Sequence, residues 1–427
     1  MSTHPHLPAG LVRDIPYMGV IHVMAEASKR GFFNGNPDWS NLGQGQPEVG
    51  DLDGAPPRLS QIEVAPQDLA YGPVNGVDAL RQAVADHYNL TYRQGRTSKY
   101  AKENVSIAQG GRLMLSRILA VLGPVNVGYV VPDYTAYEDM LDYHRHRLTP
   151  VAIRTQAEDG FRLTAEMVAA AVESHGLGAV LFSNPNNPTG QLLAGDDLDR
   201  VVAMCRARGC LAVVDEFYSH YIFDEEGAGA DGPVSASAFV DDVDADPVLL
   251  VDGVTKNLRY PGLRLAWAVG PRDIIETLGR AASAIDGGAS VPVQQAVAGL
   301  LDPALMDQET TAVRAAFARK RRLMLDQLRA LGIGFPAAQR GTFYLWGSVE
   351  NLPAPLDDAM TFFTHALARR VMVVPGPYFD INPGRMRRGP SPLRQWVRFS
   401  FGPPEGNMLE GLDRLRTLIQ DARRGAL

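Results

Sequence analysis

Cysteine is nearly absent from this 427-residue chain, which holds only Cys205 and Cys210. Two thiols in so long a chain exclude a disulfide framework and point to a reducing, cytoplasmic compartment. Neither sign of charge dominates: 41 basic and 48 acidic residues leave a net charge of −7. That balance excludes wholesale binding of nucleic acid or of an anionic membrane. Long apolar runs are missing too. The densest stretch, Ile118 to Val131, is broken by Gly123, Pro124, Asn126 and Gly128, which excludes a transmembrane helix. The opening MSTHPHLPAG lacks the basic-then-apolar pattern of a secretory signal. His144 and His146 have no partners at metal-ligand spacing, and the two cysteines have no second pair, so no metal is expected. GQGQPE (43–48) lacks the third glycine of a dinucleotide fingerprint, and no GxSxG elbow occurs.

What is present is an ordinary globular composition, 45% hydrophobic and 21% charged. The length fits two or three domains, or one large α/β domain with an appendage. Such a core needs no disulfide or metal staple. Val20 to Lys29 has helical spacing stopped at Gly31. The Gly-, Pro- and Asp-rich stretch from Asn34 to Pro57 reads as loop. From there apolar β-branched runs alternate with amphipathic helices. The runs are Val105 to Ala108, Val127 to Val131, Val151 to Arg154, Ala179 to Ser183, Leu211 to Asp215, Val248 to Asp252 and Leu265 to Val269. This alternation predicts a mostly parallel sheet sandwiched by helices, an α/β fold. A long helix over Asp307 to Leu331 leads into a smaller α+β unit. Its strands fall at Thr342 to Trp346, Val371 to Val374 and Trp396 to Phe401, and its closing helix at Met408 to Ala422.

Chemistry gathers where the runs end. SNPNNPTG (183–190) makes a rigid turn after the apolar AVLF. LAVVD (211–215) ends in a carboxylate and continues into Glu216, Phe217 and Tyr218. VLLVD (248–252) runs into Gly253, Val254, Thr255 and Lys256. Ligands of open α/β sheets bind outside the carboxyl ends of strands. A carboxylate, a phenol, an amide and an amine on one sheet edge suit pyridoxal phosphate. That cofactor needs a lysine for an imine, a carboxylate for its pyridinium nitrogen, and N–H groups with a cation for its phosphate. Taken singly, Asp215 could equally cap the next turn, and Lys256 could be a solvated lysine. Arg319 to Arg322 (RKRR) reads as a solvated helix face. Arg385, Arg387, Arg388 and Arg394 read as an exposed loop, with contact to an anionic or large substrate as the alternative.

In order, NLGQGQPE (41–48), YGPVNG (71–76), AQGGR (108–112), PDYTAY (132–137), NPNNPTG (184–190), DEFY (215–218), TKNLRYPGLR (255–264) and VRFSFG (397–402) run through most of the chain. The set resembles the fold-type I, aspartate-aminotransferase-like superfamily of pyridoxal phosphate enzymes, the class I and II aminotransferases. The resemblance implies pyridoxal 5'-phosphate as cofactor and an enzyme acting on an α-amino acid through an external aldimine and a quinonoid. It implies three regions: an arm and part of a small domain over 1–50, a large cofactor domain over 51–305, and an interdomain helix with the small domain over 306–427. Lys256 would hold the cofactor and shuttle the proton, and Asp215 would pair with the ring nitrogen. Asn187 and Tyr218 would donate to the ring oxygen, and Tyr134 would stack on the ring. Gly110, Gly111 and Arg112 would open a helix on the phosphate, with Thr255 and Arg264. Tyr71 would reach the phosphate of a neighbouring subunit, implying a homodimer with shared sites. Arg398 would grip the substrate carboxylate, with Gly45 and Asn187 beside it.

Gly253 departs from the pattern, standing where many members carry a hydroxyl residue three positions before the lysine. The wording around Lys256 also resembles a natural-product branch. Amino transfer is the default expectation. The alternatives are elimination, replacement or cyclisation, as on S-adenosylmethionine, and oxidation by oxygen. A non-catalytic, cofactor-sensing member is the reading from another class.

Overall fold

Residues of alternating facing, buried on both sides, build the sheet that the sequence predicts. The structure is a computed structural model and describes residues 11, 12, 15, 17, 19–224, 232–335 and 337–427. The segment 1–10, on which the reading of a leader rests, lies outside the described residues. The chain begins with α1 (Gly19–Ser28), the two-residue strand β1 (Ser40–Asn41), α2 (Asp78–Thr91), β2 (Val105–Ala108), α3 (Gly111–Val121) and β3 (Asn126–Val131). It continues through α4 (Ala136–Tyr143), β4 (Thr149–Arg154), α5 (Ala165–His175), β5 (Leu177–Ser183), α6 (Asp196–Arg208) and β6 (Leu211–Asp215). Next come β7 (Val248–Gly253), β8 (Ala266–Val269), α7 (Arg272–Ile285), α8 (Val291–Ala298) and α9 (Pro303–Ala330). The last elements are β9 (Tyr344–Ser348), α10 (Ala359–Ala368), β10 (Val371–Met372), β11 (Val374–Pro375), β12 (Trp396–Ser400) and α11 (Glu405–Arg423).

Seven strands form one sheet in the order β2-β8-β7-β6-β5-β3-β4. Only β8 runs against its neighbours β2 and β7; the other six share a direction. Successive side chains of a strand face opposite ways, and the core obeys this. Leu181, Val213, Leu249 and Val251 pack on one side with α3, α4, α7 and α9. Val180, Phe182, Ala212, Val214, Val248 and Leu250 pack on the other with α2, α5, α6 and α8. A second sheet, β11-β12-β9, is antiparallel. The arm strand β1 pairs in parallel with β10. Among the described residues no helix is long and apolar enough to cross a membrane.

Several expectations need correction. The run Val371 to Val374 is two short strands, because the chain leaves its pairing with β1 and joins β12 instead. The strand expected from Thr342 starts two residues later, after Thr342 takes a positive φ of 67°. The RKRR face is not wholly solvated. Lys320 and Arg321 are buried. Lys320 Nζ donates to Glu48 Oε1 at 2.7 Å, and Arg321 Nη2 donates to the carbonyl of Gln339 at 2.8 Å. Adjacent positions on a helix point about 100° apart, so only Arg319 and Arg322 of the four reach water.

Behind the turn that carries Lys256, Arg259 and Glu309 of α9 form a buried ion pair, Nε to Oε1 2.7 Å, with side chains 0% and 2% exposed. Arg259 also donates to the carbonyls of Glu48 and Gly50 at 3.1 and 2.8 Å, and Arg58 approaches Glu309 at 3.4 Å. One carboxylate thus ties the lysine turn, the arm and α9 together. Removing one partner of a buried pair costs about 3–5 kcal/mol. Glu309→Ala is therefore expected to lower unfolding free energy by about that amount in denaturant titration, with Glu309→Gln costing less.

Candidate active site

The carboxyl ends of six strands open on one edge of the large sheet, and the segments beyond β2, β3, β5, β6 and β7 line a cavity of about 470 Å³. Register explains the convergence. Ser183, the last residue of β5, lies beside Asp215, the last of β6, and Asp215 lies beside Val251 of β7. The turns after β3, β5, β6 and β7 therefore deliver Tyr134, Asn187, Tyr218 and Thr255–Lys256 to one place. Arg398 arrives from β12 of the other sheet. Of the residues singled out in the sequence, Gly45, Gly111, Arg112, Tyr134, Asn187, Asp215, Tyr218, Thr255, Lys256, Arg264 and Arg398 line the cavity. Gly110 adjoins it. Tyr71 does not line it and is fully exposed.

Asp215 is buried and accepts from the Tyr137 phenol at 2.8 Å. Burial pushes its carboxyl up to about 6, opposed by the hydrogen bond from Tyr137, the Phe217 N–H and the charge of Lys256. Lys256 Nζ donates to the carbonyl of Gly45. Burial lowers its ammonium to about 7, helped by the charges of Arg398, Arg264 and Arg112 and opposed by Asp215. Four basic side chains and one carboxylate line this cavity in a chain of net charge −7. An anionic guest is the natural complement.

Arg398 donates to Asn187 Oδ1 at 2.6 Å and to the carbonyl of Gly43 at 2.7 Å. The Tyr344 ring covers its guanidinium at 4.0 Å. Its Nε is buried without a partner. The carbonyl of Gly45 serves Lys256, and that of Gly43 serves Arg398. Tyr218 and Tyr344 share a hydrogen bond between phenols at 2.7 Å. Tyr134 accepts from Arg112 Nε at 2.9 Å. Asp133 accepts from the backbone N–H of Ser183 and of Tyr134 at 3.0 and 2.7 Å. Ser183 Oγ in turn accepts from the Asn187 N–H at 3.0 Å. This chain of bonds fixes the NPNNPTG turn.

The 11-residue helix α3 points its N-terminus at the cavity, and Gly111 and Arg112 line it. Gly110, at φ +94°, lies against Arg264; a Cβ there would sit 2.3 Å from Arg264 Nη2. Arg264 itself takes a left-handed φ of 52°, at a cost of roughly 1–2 kcal/mol. The helix end, Arg112, Arg264 and the partnerless buried Thr255 hydroxyl together fit a phosphate. Gly253 has a steric cause. A Cβ there would meet the Leu265 carbonyl at 2.5 Å and Ala266 Cα at 2.7 Å, where β7 and β8 run close. The remaining donor set also fits a pyridoxal ring: a buried carboxylate, an amide, a phenol and a reactive amine. Among the described residues no cluster suits a metal ion.

Sequence reasoning missed Tyr137, Tyr344, Phe217, Ser183 and the apolar Val20, Ile21 and Met24, all of which touch the site or line it. PDYTAY held one signal, since Tyr137 lies one helical turn beyond Tyr134. The loop arginines do not reach the cavity; none of Arg385, Arg387, Arg388 and Arg394 lines it. Arg387 pairs with Asp380 of its own loop at 2.8 Å. That loop is anchored on α4, where the Asn382 N–H donates to Glu138 Oε2 at 2.8 Å.

An amine reacts with electrophiles when neutral, above its pKa. Labelling of Lys256 in cofactor-free protein by a small aldehyde and borohydride, followed by peptide mass spectrometry, should rise with a midpoint near pH 7 and not near 10.5. Arg398→Met removes a repelling charge and should move that midpoint upward.

Comparison with known proteins agrees with this geometry. The family model for aminotransferase class I and II matches residues 37–415. Valine–pyruvate aminotransferase of Mycobacterium tuberculosis is 27% identical over 411 residues, covering 94% of this chain and 96% of its own. An aspartate aminotransferase of Sulfurisphaera tokodaii is 24% identical over 393 residues, covering 89% of each chain. Among solved structures, the aspartate aminotransferase from Thermus thermophilus with maleate gives a TM-score of 0.76 at 22% identity, covering 95% of this chain and 100% of that one. That likeness shows the fold. Members of the family use pyridoxal phosphate and are generally dimers acting on small amino acids. The relatives favour amino transfer over elimination, cyclisation or oxidation. The chain belongs to the class I and II aminotransferases, and its activity is that of a transferase.

Proposed function

We propose that this chain moves an amino group between an α-amino acid and an α-keto acid, with pyridoxal 5'-phosphate held in the cavity described above. The observation that carries the reading is a buried carboxylate, Asp215, and a half-buried amine, Lys256, in one cationic cavity. When bound, the cofactor supplies an aldehyde that takes the amino group and a ring that withdraws electrons from the substrate Cα.

The chain's own residues do the rest. Asp215 would hold the proton on the ring nitrogen, and the positive ring would return the counter-charge that burial denies it. Asn187 and Tyr218 would donate to the ring oxygen, and Tyr134 would lie on the ring while positioning Arg112. Gly110, Gly111, Arg112, Thr255 and Arg264 would bind the phosphate. Arg398 would hold the substrate carboxylate by a charge-assisted fork, with Asn187 orienting it. Lys256 Nζ would take the proton from the substrate Cα. An amine with its pKa near the working pH is suited both to accept and to return a proton.

The proposal includes a cytoplasmic homodimer. Tyr71 supports it, since it is fully exposed in the single chain, as a residue that would contact a second copy must be. It also includes the division into the arm (1–50), the cofactor domain (51–305) and the small unit (306–427). Two sheets of separate sequence range support that division, and so does the pairing of β1 with β10.

A mass-spectrometric product profile over an amino-acid panel tests the reading, run with and without an α-keto acid and oxygen. Amino transfer should need the keto acid and no oxygen, and Lys256→Ala should abolish it while retaining cofactor noncovalently. Peroxide formation, or release of a substrate fragment without any new amino acid, would refute it.

A further inference from the structure

The carboxylate, amine and phosphate ends of the cavity are spoken for, yet the apolar wall supplied by α1 has no role so far. Val20, Ile21 and Met24 of α1 line it. They lie at i, i+1 and i+4, on one side of the helix. The N-terminal end of α1 rests on Thr135, beside Tyr134. Its other side rests on the small unit, where Val23 is buried and His22 packs on Tyr378 with ring centroids 5.6 Å apart. So α1 bridges the two walls of the cavity, and Ile21 keeps 41% of its surface exposed.

We infer that Val20, Ile21 and Met24 receive the substrate side chain, and that the preferred donor is an α-amino acid with an uncharged, apolar side chain. This inference rests on the proposed amino transfer and adds the substrate class. A substrate Cα has four substituents. In the proposed arrangement the carboxylate goes to Arg398, the amino nitrogen to the cofactor, and the hydrogen faces Lys256. The fourth substituent needs a wall that none of these groups occupies. Of the four basic residues lining the cavity, Lys256 and Arg398 have those roles. Arg264 lies on Gly110 at the helix end, and Arg112 is tied to Tyr134. No basic side chain of this chain is left for a second carboxylate among the described lining residues. A carboxylate desolvated against valine, isoleucine and methionine without a cation is strongly disfavoured. An aliphatic or aromatic side chain gains there by covering apolar surface.

The test uses holoenzyme and compares kcat/KM for leucine, methionine and phenylalanine with that for aspartate and glutamate, at fixed keto acid. Binding without turnover is read in parallel, by calorimetric titration with 4-methylpentanoate and with succinate. The apolar donors should be faster, and 4-methylpentanoate should bind more tightly than succinate. Met24→Ala should lower kcat/KM for leucine about tenfold or more, while alanine as donor changes far less. Met24→Arg should move the ratio of aspartate to leucine upward. Aspartate fastest in the wild type, with succinate the tighter ligand, would overturn the substrate class and leave amino transfer intact. An unchanged leucine-to-alanine ratio in Met24→Ala would overturn the assignment of α1. Failure of every amino acid to transfer its amino group would overturn both this inference and the proposed function.

Discussion

A buried carboxylate without an ion-pair partner in contact sits at the centre of this molecule. Asp215 ends a strand in the middle of a seven-stranded sheet, and among the described residues no basic group pairs with it within salt-bridge distance. Its Tyr137 hydrogen bond recovers only part of the lost hydration, which is why its carboxyl is pushed up to about 6. Lys256 shows the mirror effect, since burial and three arginines drive its ammonium down to about 7. Each group is pressed toward its neutral form by burial in the same cavity. In the proposed function a cationic ring beside Asp215 would relieve the first strain, and the lowered amine would serve proton transfer.

The fold exists to hold those groups at one edge. Parallel strands end together, so turns far apart in sequence become neighbours without long excursions. Two further constraints lock the edge. The Asp133–Ser183–Asn187 chain of hydrogen bonds couples the turns after β3 and β5. The buried Arg259–Glu309 pair couples the lysine turn to α9 and the arm. Gly253 belongs to this scaffold. Its missing side chain reflects the close approach of β7 and β8, not a change of reaction.

Much of this was readable from residues. Turns such as SNPNNPTG and strands ending in Asp215 and Asp252 have strong local grammar. Their order placed eleven of the thirteen singled-out residues in the cavity wall. Helices α2, α7, α8 and α10 escaped notice for local reasons. VPVQQAVA and AMTFFTHALA are apolar or β-branched enough to pass for strands. DALRQAVADHYNLT spends seven positions on residues of weak helix propensity, and α7 carries Gly279, which is pressed against Asn75. Tyr344 and the α1 wall were invisible for another reason. Their role depends on how the small sheet and the arm fold back over the large one, and no local pattern encodes that. The loop arginines misled in the opposite sense, because closeness in sequence to Arg398 does not bring them to the cavity.

The central claim is that Asp215 keeps the ring nitrogen of the bound cofactor protonated. Holoenzyme reconstituted with pyridoxal phosphate carrying 15N in the ring permits a direct measurement by NMR. The account predicts the shift of a protonated pyridine nitrogen at neutral and mildly alkaline pH, collapsing toward the unprotonated value in Asp215→Ala. An unprotonated nitrogen in the wild-type protein under those conditions would contradict it.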